Sequence, residues 1–373
     1  MKIVQFERPG GIEVLDMVEA PMPVAGVGEV LVRAQYIGVG MPDVLIRSGR
    51  YGFMPPLPAV PGTEMSGTVE AVGAGVAKFT VGQRVLVSAR ERKHRGGCYA
   101  EYVAAPEAAM FAVPDGAGMQ QAAALANYQV AFHLLYDCAQ TKPGQWVLVY
   151  AAAGGVGSAI LDLGRALGLR MIAVCSGAEK ARVAREMGAE VVIDRATQDI
   201  AQAVRDATAG KMVDLILNPI GGAHITDNFA LLAPFGLLVS YGRLSGYPSG
   251  DIPAALIKIG KAGALRTFSM HVFDDWPERR REGMHWLIER LGEGAIRPRI
   301  HGVLPLAEAR RAHAMIEHGE IIGKLLLAPS DTMGASVEDA SVEDASVEGT
   351  RVGAPASATS RSTTTQARTE ETR

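Results

Sequence analysis

Seven residues, Ala151-Ala152-Ala153-Gly154-Gly155-Val156-Gly157, follow the apolar run Trp146-Val147-Leu148-Val149-Tyr150 and open a stretch of helical periodicity. Gly154 and Gly157 match the last two glycines of a GxGxxG turn, with Ala152 at the first position. The chemistry of such a turn is the holding of a pyrophosphate. A bare Gly154 lets phosphate approach the backbone, and Gly157 lets the helix pack closely on the strand. The N–H groups and dipole that open the helix then face the negative charge. Gly154, Gly155, Val156 and Gly157 are therefore the expected pyrophosphate-binding residues. A lone glycine motif is a weak signal, because plain tight turns look the same. Strand, turn, helix and second strand in this order make it a dinucleotide site.

The end of that second strand bears on which dinucleotide binds. A site for the unphosphorylated coenzyme usually has Asp or Glu about 20 residues on, bonded to the ribose 2′-hydroxyl. Here the strand ends Val174-Cys175-Ser176-Gly177, without an acid. Ser176 can hydrogen-bond a 2′-phosphate, Lys180 lies one turn further on, and Arg195 follows the third strand. Lys180 and Arg195 are either phosphate ligands or cations of a solvated face. The absent acid favours NADPH.

Zinc catalysis needs three ligands from Cys, His, Asp or Glu around an open position. The nearest local candidate is His94 with Cys98, flanked by Arg92, Lys93 and Arg95. A cationic loop repels a divalent ion, and no third ligand is near. His133, on an apolar helix, is expected to be packed rather than ligating. No metal site is expected, and no GxSxG elbow is present.

These groups need a frame to position them. Residues 1–122 read as a β-rich unit, in which short runs such as Glu29–Ala34, Gly67–Val72 and Gln83–Val87 alternate with Gly and Pro punctuation. Residues 123–265 read as alternating strands and helices: strands at Trp146–Tyr150, Arg170–Cys175, Glu190–Asp194, Val213–Asn218 and Leu237–Tyr241, helices at Gly157–Leu167, Glu179–Met187, Asp199–Thr208 and Ala223–Leu232. That pattern gives an α/β doubly wound parallel sheet. Residues 266–329 add helices at Trp276–Leu291 and Leu306–Glu317 and a closing strand at Gly323–Leu327 that can return to the first unit. Residues 330–373 contain three copies of an Ala-Ser-Val-Glu unit, and from Asp331 on they lack Leu, Ile, Phe, Trp and Tyr, which predicts a disordered tail.

Composition sets the outer limits. With 373 residues, 48% of them hydrophobic, the chain can bury a large core. A net charge of −3 leaves no basic surplus for a nucleic-acid backbone. No run of apolar residues approaches a membrane span, the N-terminus reads as a strand rather than a signal peptide, and the three cysteines form no disulfide or metal pattern. A cytoplasmic location is the expectation.

The run Pro61–Val69, with Val72-Gly73-Ala74-Gly75-Val76 and Phe79–Val85, resembles the N-terminal barrel of the medium-chain dehydrogenases/reductases. The turn 151–157 resembles that of their quinone oxidoreductase branch. Ile46–Tyr51, Asn127-Tyr128, Asn218–Gly222, Tyr241-Gly242 and Gly323-Lys324 are similar too, and together they cover about residues 1–329. The Asn127-Tyr128 and Pro219–Gly222 forms resemble the subgroup that includes the vesicle amine transport protein. The resemblance implies a GroES-like catalytic domain packed on a Rossmann domain, a homodimer, and NADPH in the cleft. It implies that Asn218, Tyr241 and Gly242 lie near ribose and nicotinamide, and that Lys324 is a further cofactor-binding residue. Zinc-dependent relatives have Cys at Gly40 and His at Thr63, so the resemblance is to a zinc-free member. Quinone oxidoreductases typically have Asn at Gly40 and Tyr at Leu45, and a common Thr is Val130 here, which implies a more apolar cleft.

Without a Lewis acid, the favoured reaction is hydride transfer to an acceptor that is already activated, a quinone or an α,β-unsaturated carbonyl. Tyr128 and Tyr51 are the candidate catalytic proton donors, with Tyr99 and solvent as alternatives. Two other functions fit the same motifs. One is an NADPH-binding sensor with little turnover. The other is an enoyl-thioester reductase of a biosynthetic pathway.

Overall fold

Two sequence textures give two sheets. The computed structural model describes residues 1–329; the tail expected at 330–373 lies outside the described residues. In the central part, the strands Val191–Asp194, Arg170–Cys175, Trp146–Tyr150, Val213–Asn218, Leu232–Ser240 and Ala264–Thr267 lie side by side in that order, all parallel. Trp146–Tyr150 is first in sequence yet third in space, so the chain winds outward in both directions from it. The crevice at this reversal, outside the carboxyl ends of Trp146–Tyr150 and Val213–Asn218, is where doubly wound sheets bind ligands. Val147, Leu148 and Val149 are fully buried, as expected for a strand covered on both faces.

The second sheet has seven strands, ordered Ile300–Pro305, Lys324–Ala328, Glu29–Val39, Glu64–Val72, Arg84–Ser88 and Met110–Ala112, with Tyr102–Pro106 also paired to Glu29–Val39. Its composition joins distant parts of the chain: Lys324–Ala328 pairs antiparallel with Glu29–Val39. A two-stranded hairpin, Lys2–Gln5 with Asp16–Glu19, completes the β-structure.

Most helices fall within a residue or two of the sequence expectation: Gly155–Ala166, Ala178–Glu186, Ile200–Ala207 and Pro277–Gly292. Two differences have physical causes. Residues Ala223–Leu231 form 3-10 turns rather than an α-helix, and Asn228 bonds through Nδ2 to the carbonyls of His224 and Ile225. Such local bonds compete with a regular helix. A short helix, Ile252–Ile259, and the edge strand Ala264–Thr267 escape the sequence reading. Neither contains a fully buried residue; the helix rests on the core through the half-buried face Ile252, Ala255, Leu256 and Ile259, and the strand is a four-residue edge. Among the described residues no helix is long and apolar enough to cross a membrane.

Candidate active site

The glycine turn leaves the central strand through Ala151, at φ 51°, and reaches the helix through an extended Gly154. Gly154 is the N-cap and has no side chain to bond the helix's first amides, so they face the crevice unclaimed. Ser158 is the first residue to bond back, its N–H donating to the Gly154 carbonyl at 2.8 Å. A Cβ at Gly157 would stand 2.3 Å from the Ala151 oxygen and 2.7 Å from Ala152 Cα, so the approach of helix to strand requires glycine. Gly155 faces the Asn127 amide, and the Gly323 N–H donates to the Ala153 carbonyl at 2.9 Å. The turn is thus held from the side by the start of the closing strand.

Ser176 and Arg195 meet at the next corner. Arg195 Nε donates to Ser176 Oγ at 2.8 Å, and its backbone N–H to the Cys175 carbonyl at 3.0 Å. Lys180 reaches away from this pair, donating through Nζ to the Gly319 carbonyl at 2.8 Å. The sequence reading overlooked Asp194 here. Both its oxygens are taken by backbone amides, Oδ1 by Ala196 at 3.0 Å and Oδ2 by Gly177 at 3.2 Å.

On the other side of the crevice, Asn218 is buried, and its Oδ1 accepts from the amides of Ile220 at 2.7 Å and Gly221 at 3.2 Å. Tyr241 N–H donates to the Asn218 carbonyl at 3.1 Å, which sets Tyr241-Gly242 beside it. A Cβ at Gly242 would lie 2.5 Å from the Pro219 oxygen. Burial pushes the Tyr241 hydroxyl well above its usual range.

Below the crevice lies a buried charge network that the sequence reading missed. Lys324 Nζ donates to Glu64 Oε1 at 2.5 Å, and Glu64 Oε2 accepts the Ala126 amide at 2.7 Å. Asp43 accepts from Gly40 N–H at 2.9 Å and Gly62 N–H at 3.0 Å. Burial raises the Asp43 carboxyl to about 6, against the pull of the Lys324 charge. The ammonium of Lys324, expected on the cofactor, is therefore occupied by Glu64. A Cβ at Gly40 would lie 3.7 Å from that ammonium. Gly40 offers no ligand atom, Thr63 only a neutral hydroxyl, and their neighbour is a cation, so zinc does not fit. Among the described residues no group of three or more His, Cys, Asp or Glu could hold a metal. Cys98 is fully buried, with burial raising its thiol to about 12, whereas His94 is exposed. His133 is buried, with Nδ1 against Asp137 Oδ2 at 2.6 Å.

The donor candidates separate clearly. Tyr128 is 2% exposed, and its hydroxyl donates to Asp162 Oδ2 at 2.8 Å. That carboxylate also accepts the Arg297 amide at 2.6 Å. Burial and the adjacent carboxylate push the Tyr128 hydroxyl far up. The expectation of a catalytic Tyr128 is corrected: its proton is committed to a packing bond beneath the glycine-turn helix. Tyr99 is equally buried, 3.0 Å from His313 Nε2. Tyr51 is different. It is half-buried, and its hydroxyl lies 3.2 Å from His271 Nε2, while His271 Nδ1 lies 2.9 Å from Asp274 Oδ2. The carboxylate assigns the proton to Nδ1, leaving Nε2 to accept from Tyr51. No sequence signal joins these three, since 220 residues separate Tyr51 from His271.

Beyond Tyr51, and apart from Gly40, Leu45 and Val130, the surface opens into a strongly polar recess. A recess of about 430 Å³ is lined by Arg90, Arg92, Lys93, Arg95 and Arg280 together with Asp274, with Phe53 at its edge stacked on His271 at 4.1 Å.

Comparisons with known proteins agree with this geometry. A family model described as an alcohol dehydrogenase GroES-like domain matches residues 26–115, and one described as a zinc-binding dehydrogenase matches residues 187–327. A synaptic vesicle membrane protein VAT-1 homolog of Rattus norvegicus is 32% identical over 338 residues, covering 86% of this chain and 82% of that protein. A quinone oxidoreductase of Pseudomonas aeruginosa is 34% identical over 329 residues, covering 88% of this chain and 99% of that one. The crystal structure of Escherichia coli quinone oxidoreductase complexed with NADPH superposes with a TM-score of 0.79 at 29% identity, covering 88% of this chain and 100% of that one.

Proposed function

Because the chain belongs to the medium-chain dehydrogenase/reductase superfamily, in its quinone oxidoreductase-like branch, we propose that it is an NADPH-dependent reductase. Its acceptor in this reading is a quinone or an α,β-unsaturated carbonyl, and no metal takes part. The observation that carries the reading is the Ser176–Arg195 pair, set one strand away from a glycine turn whose amides are uncapped. The amides of Gly155, Val156 and Gly157 suit a pyrophosphate, and a hydroxyl bonded to a guanidinium suits a 2′-phosphate. Lys180 stands one turn from Ser176 and can join them by leaving Gly319. Asn218, Tyr241 and Gly242 shape the wall where ribose and nicotinamide would lie.

The bound coenzyme supplies hydride. This chain's residues orient the acceptor and manage the proton. As hydride reaches the electrophilic carbon, an electron pair moves to the carbonyl oxygen. Tyr51 gives its Oη proton to that oxygen or to the carbon beside it, and the Oη left behind is reprotonated from water by way of His271 Nε2, which takes a proton from water and passes it on while hydroxide leaves to solvent. The imidazole side chain is 24% exposed, so it can exchange with water while Asp274 fixes its orientation. Gly40 and Thr63 provide no zinc ligands, which is why an acceptor already polarised by conjugation suits the site better than an alcohol. The free, buried thiols of Cys98, Cys138 and Cys175 fit a reducing cytoplasm. A homodimer completes the proposal, and size-exclusion chromatography with light scattering tests it.

The decisive experiment is a spectrophotometric panel of quinones, enones and aldehydes with NADPH and NADH. Oxidation of NADPH by quinones or enones, but not by simple aldehydes, is expected. Tight NADPH binding with no turnover on any acceptor would replace the reductase with a coenzyme-binding protein. Preference for NADH would remove the roles given to Ser176 and Arg195.

A further inference from the structure

The recess beside Tyr51 collects an excess of positive charge that the reduction itself does not need. Five fixed cations, Arg90, Arg92, Lys93, Arg95 and Arg280, line it with a single acid, Asp274. Arg280 is neutralised behind the wall by Glu91, with Nε–Oε1 at 2.6 Å and Nη2–Oε2 at 2.8 Å. Arg92 donates to the Gly96 carbonyl at 2.8 Å. The other two guanidiniums are incompletely satisfied. Arg95 bonds Asp274 through Nη2, but its Nη1 is buried with no hydrogen-bond partner, in a side chain only 11% exposed. Among the described residues Arg90 makes neither a side-chain hydrogen bond nor an ion pair. Burial, together with the charges of Arg95 and Arg280, pulls its affinity for the proton down. A half-buried guanidinium without an acceptor is costly, and in a recess of about 430 Å³ an anion relieves that cost.

The position of the recess tells which anion. Its residues come from segments 53–55, 90–95 and 274–280, none of them from the glycine turn or the Ser176–Arg195 corner. It is therefore separate from the phosphate sites of the coenzyme. It is joined instead to the proton donor, because Asp274 bonds both Arg95 and His271, and His271 meets Tyr51. A molecule lying against Tyr51 with one end in the recess spans the width of an imidazole and a carboxylate. We propose that the recess binds a carboxylate of the acceptor, so that the favoured substrate is an anionic enone or quinone whose carboxylate is held off from its reactive carbonyl by a rigid spacer. This rests on the reductase reading above. Guanidinium groups meet a carboxylate through paired N–H donors, which explains arginine at both open positions. A recess confined to three short segments, in a chain of net charge −3, also differs from the broad basic face that polyanions require.

The test compares benzylideneacetone with its para-carboxy derivative as acceptors for the full chain with NADPH. The carboxylated enone should show kcat/KM higher by about tenfold or more, and the advantage should shrink as salt is raised. In R90Q the ratio between the two acceptors should collapse toward one. Equal kcat/KM for both acceptors in the natural protein would overturn the proposal, as would a preference that survives in R90Q. Calorimetric titration of the carboxylated enone into the NADP⁺-loaded protein keeps the two readings separate. If neither enone is reduced, the enone form of the reductase reading fails, yet binding weakened about tenfold in R90Q still supports the anion site. Equal binding to both proteins, or none to either, overturns it.

Discussion

Replacing Arg195 by Ala removes the cation whose Nε bonds Ser176 at 2.8 Å and leaves the rest of the corner standing. A hydrogen bond to a charged group contributes about 1.5–3 kcal/mol. Arg195 is exposed, so solvent and salt screen it and the lower end applies. A loss of about 1.5 kcal/mol weakens NADPH binding roughly tenfold. NADH has no phosphate at this corner, so its affinity should stay within twofold and the ratio between the coenzymes should fall by about ten. Fluorescence titration of both reduced coenzymes, at low and high salt, reads that ratio. The natural protein should lose part of its NADPH preference in salt, whereas R195A should lose little more. Combining R195A with S176A should cost less than the separate losses together, because the two groups act as one bonded pair. Equal weakening of NADH and NADPH by R195A, or an unchanged Kd for NADPH, would refute the assignment of this corner to the 2′-phosphate.

Other expectations follow from the same geometry. G157A places a methyl group 2.3 Å from the Ala151 oxygen, so thermal unfolding should show a loss of about 1–3 kcal/mol and NADPH titration a weakened site. Y51F should reduce kcat on an enone by about a hundredfold, the lower range for general acid catalysis because water can substitute, with the Kd for NADPH unchanged. A kcat near that of the natural protein would remove Tyr51 from the mechanism. His313 is fully buried, and burial lowers its pKa from 6.5 to about 3, so the unfolded chain binds the extra proton between those values. Its contribution to stability is complete above pH 6.5 and is lost as pH falls toward 3. Relative to H313Q, the natural protein should therefore lose about 2 kcal/mol between pH 7 and pH 5 in urea melts. Asp43 works in the opposite direction, since its raised value of about 6 favours the folded state as pH falls. The comparison with H313Q cancels that effect.

What could be read before the structure was local. The apolar run Trp146–Tyr150, the glycine turn and the following helix are neighbours in sequence, and their order carries their meaning. Ser176 and Arg195 were legible because each ends a strand of a repeating unit, and parallel strands bring their ends together. Tyr128 went wrong because its place in an Asn-Tyr motif says nothing about which way its hydroxyl points; Asp162, on the next helix, decides that. Asp43, Glu64, His271 and Asp274 were missed for a related reason. Each is an ordinary polar residue in its own segment, and its partner is tertiary, as with Glu64 and Lys324, which lie 260 residues apart. The cationic run Arg92–Arg95 was seen and used only against zinc, since Arg90 and Arg280 are needed to turn it into a recess.

The short seam at the end of the described chain has a consequence for how the molecule comes apart. Gly323 bonds Ala153 beside the glycine turn, Gly319 accepts from Lys180, and the next residues form a strand inside the other sheet. Any ligand that stiffens the turn therefore also anchors the barrel through that strand. Coenzyme should raise the melting temperature of both sheets together, and heat should dismantle them as a single cooperative body.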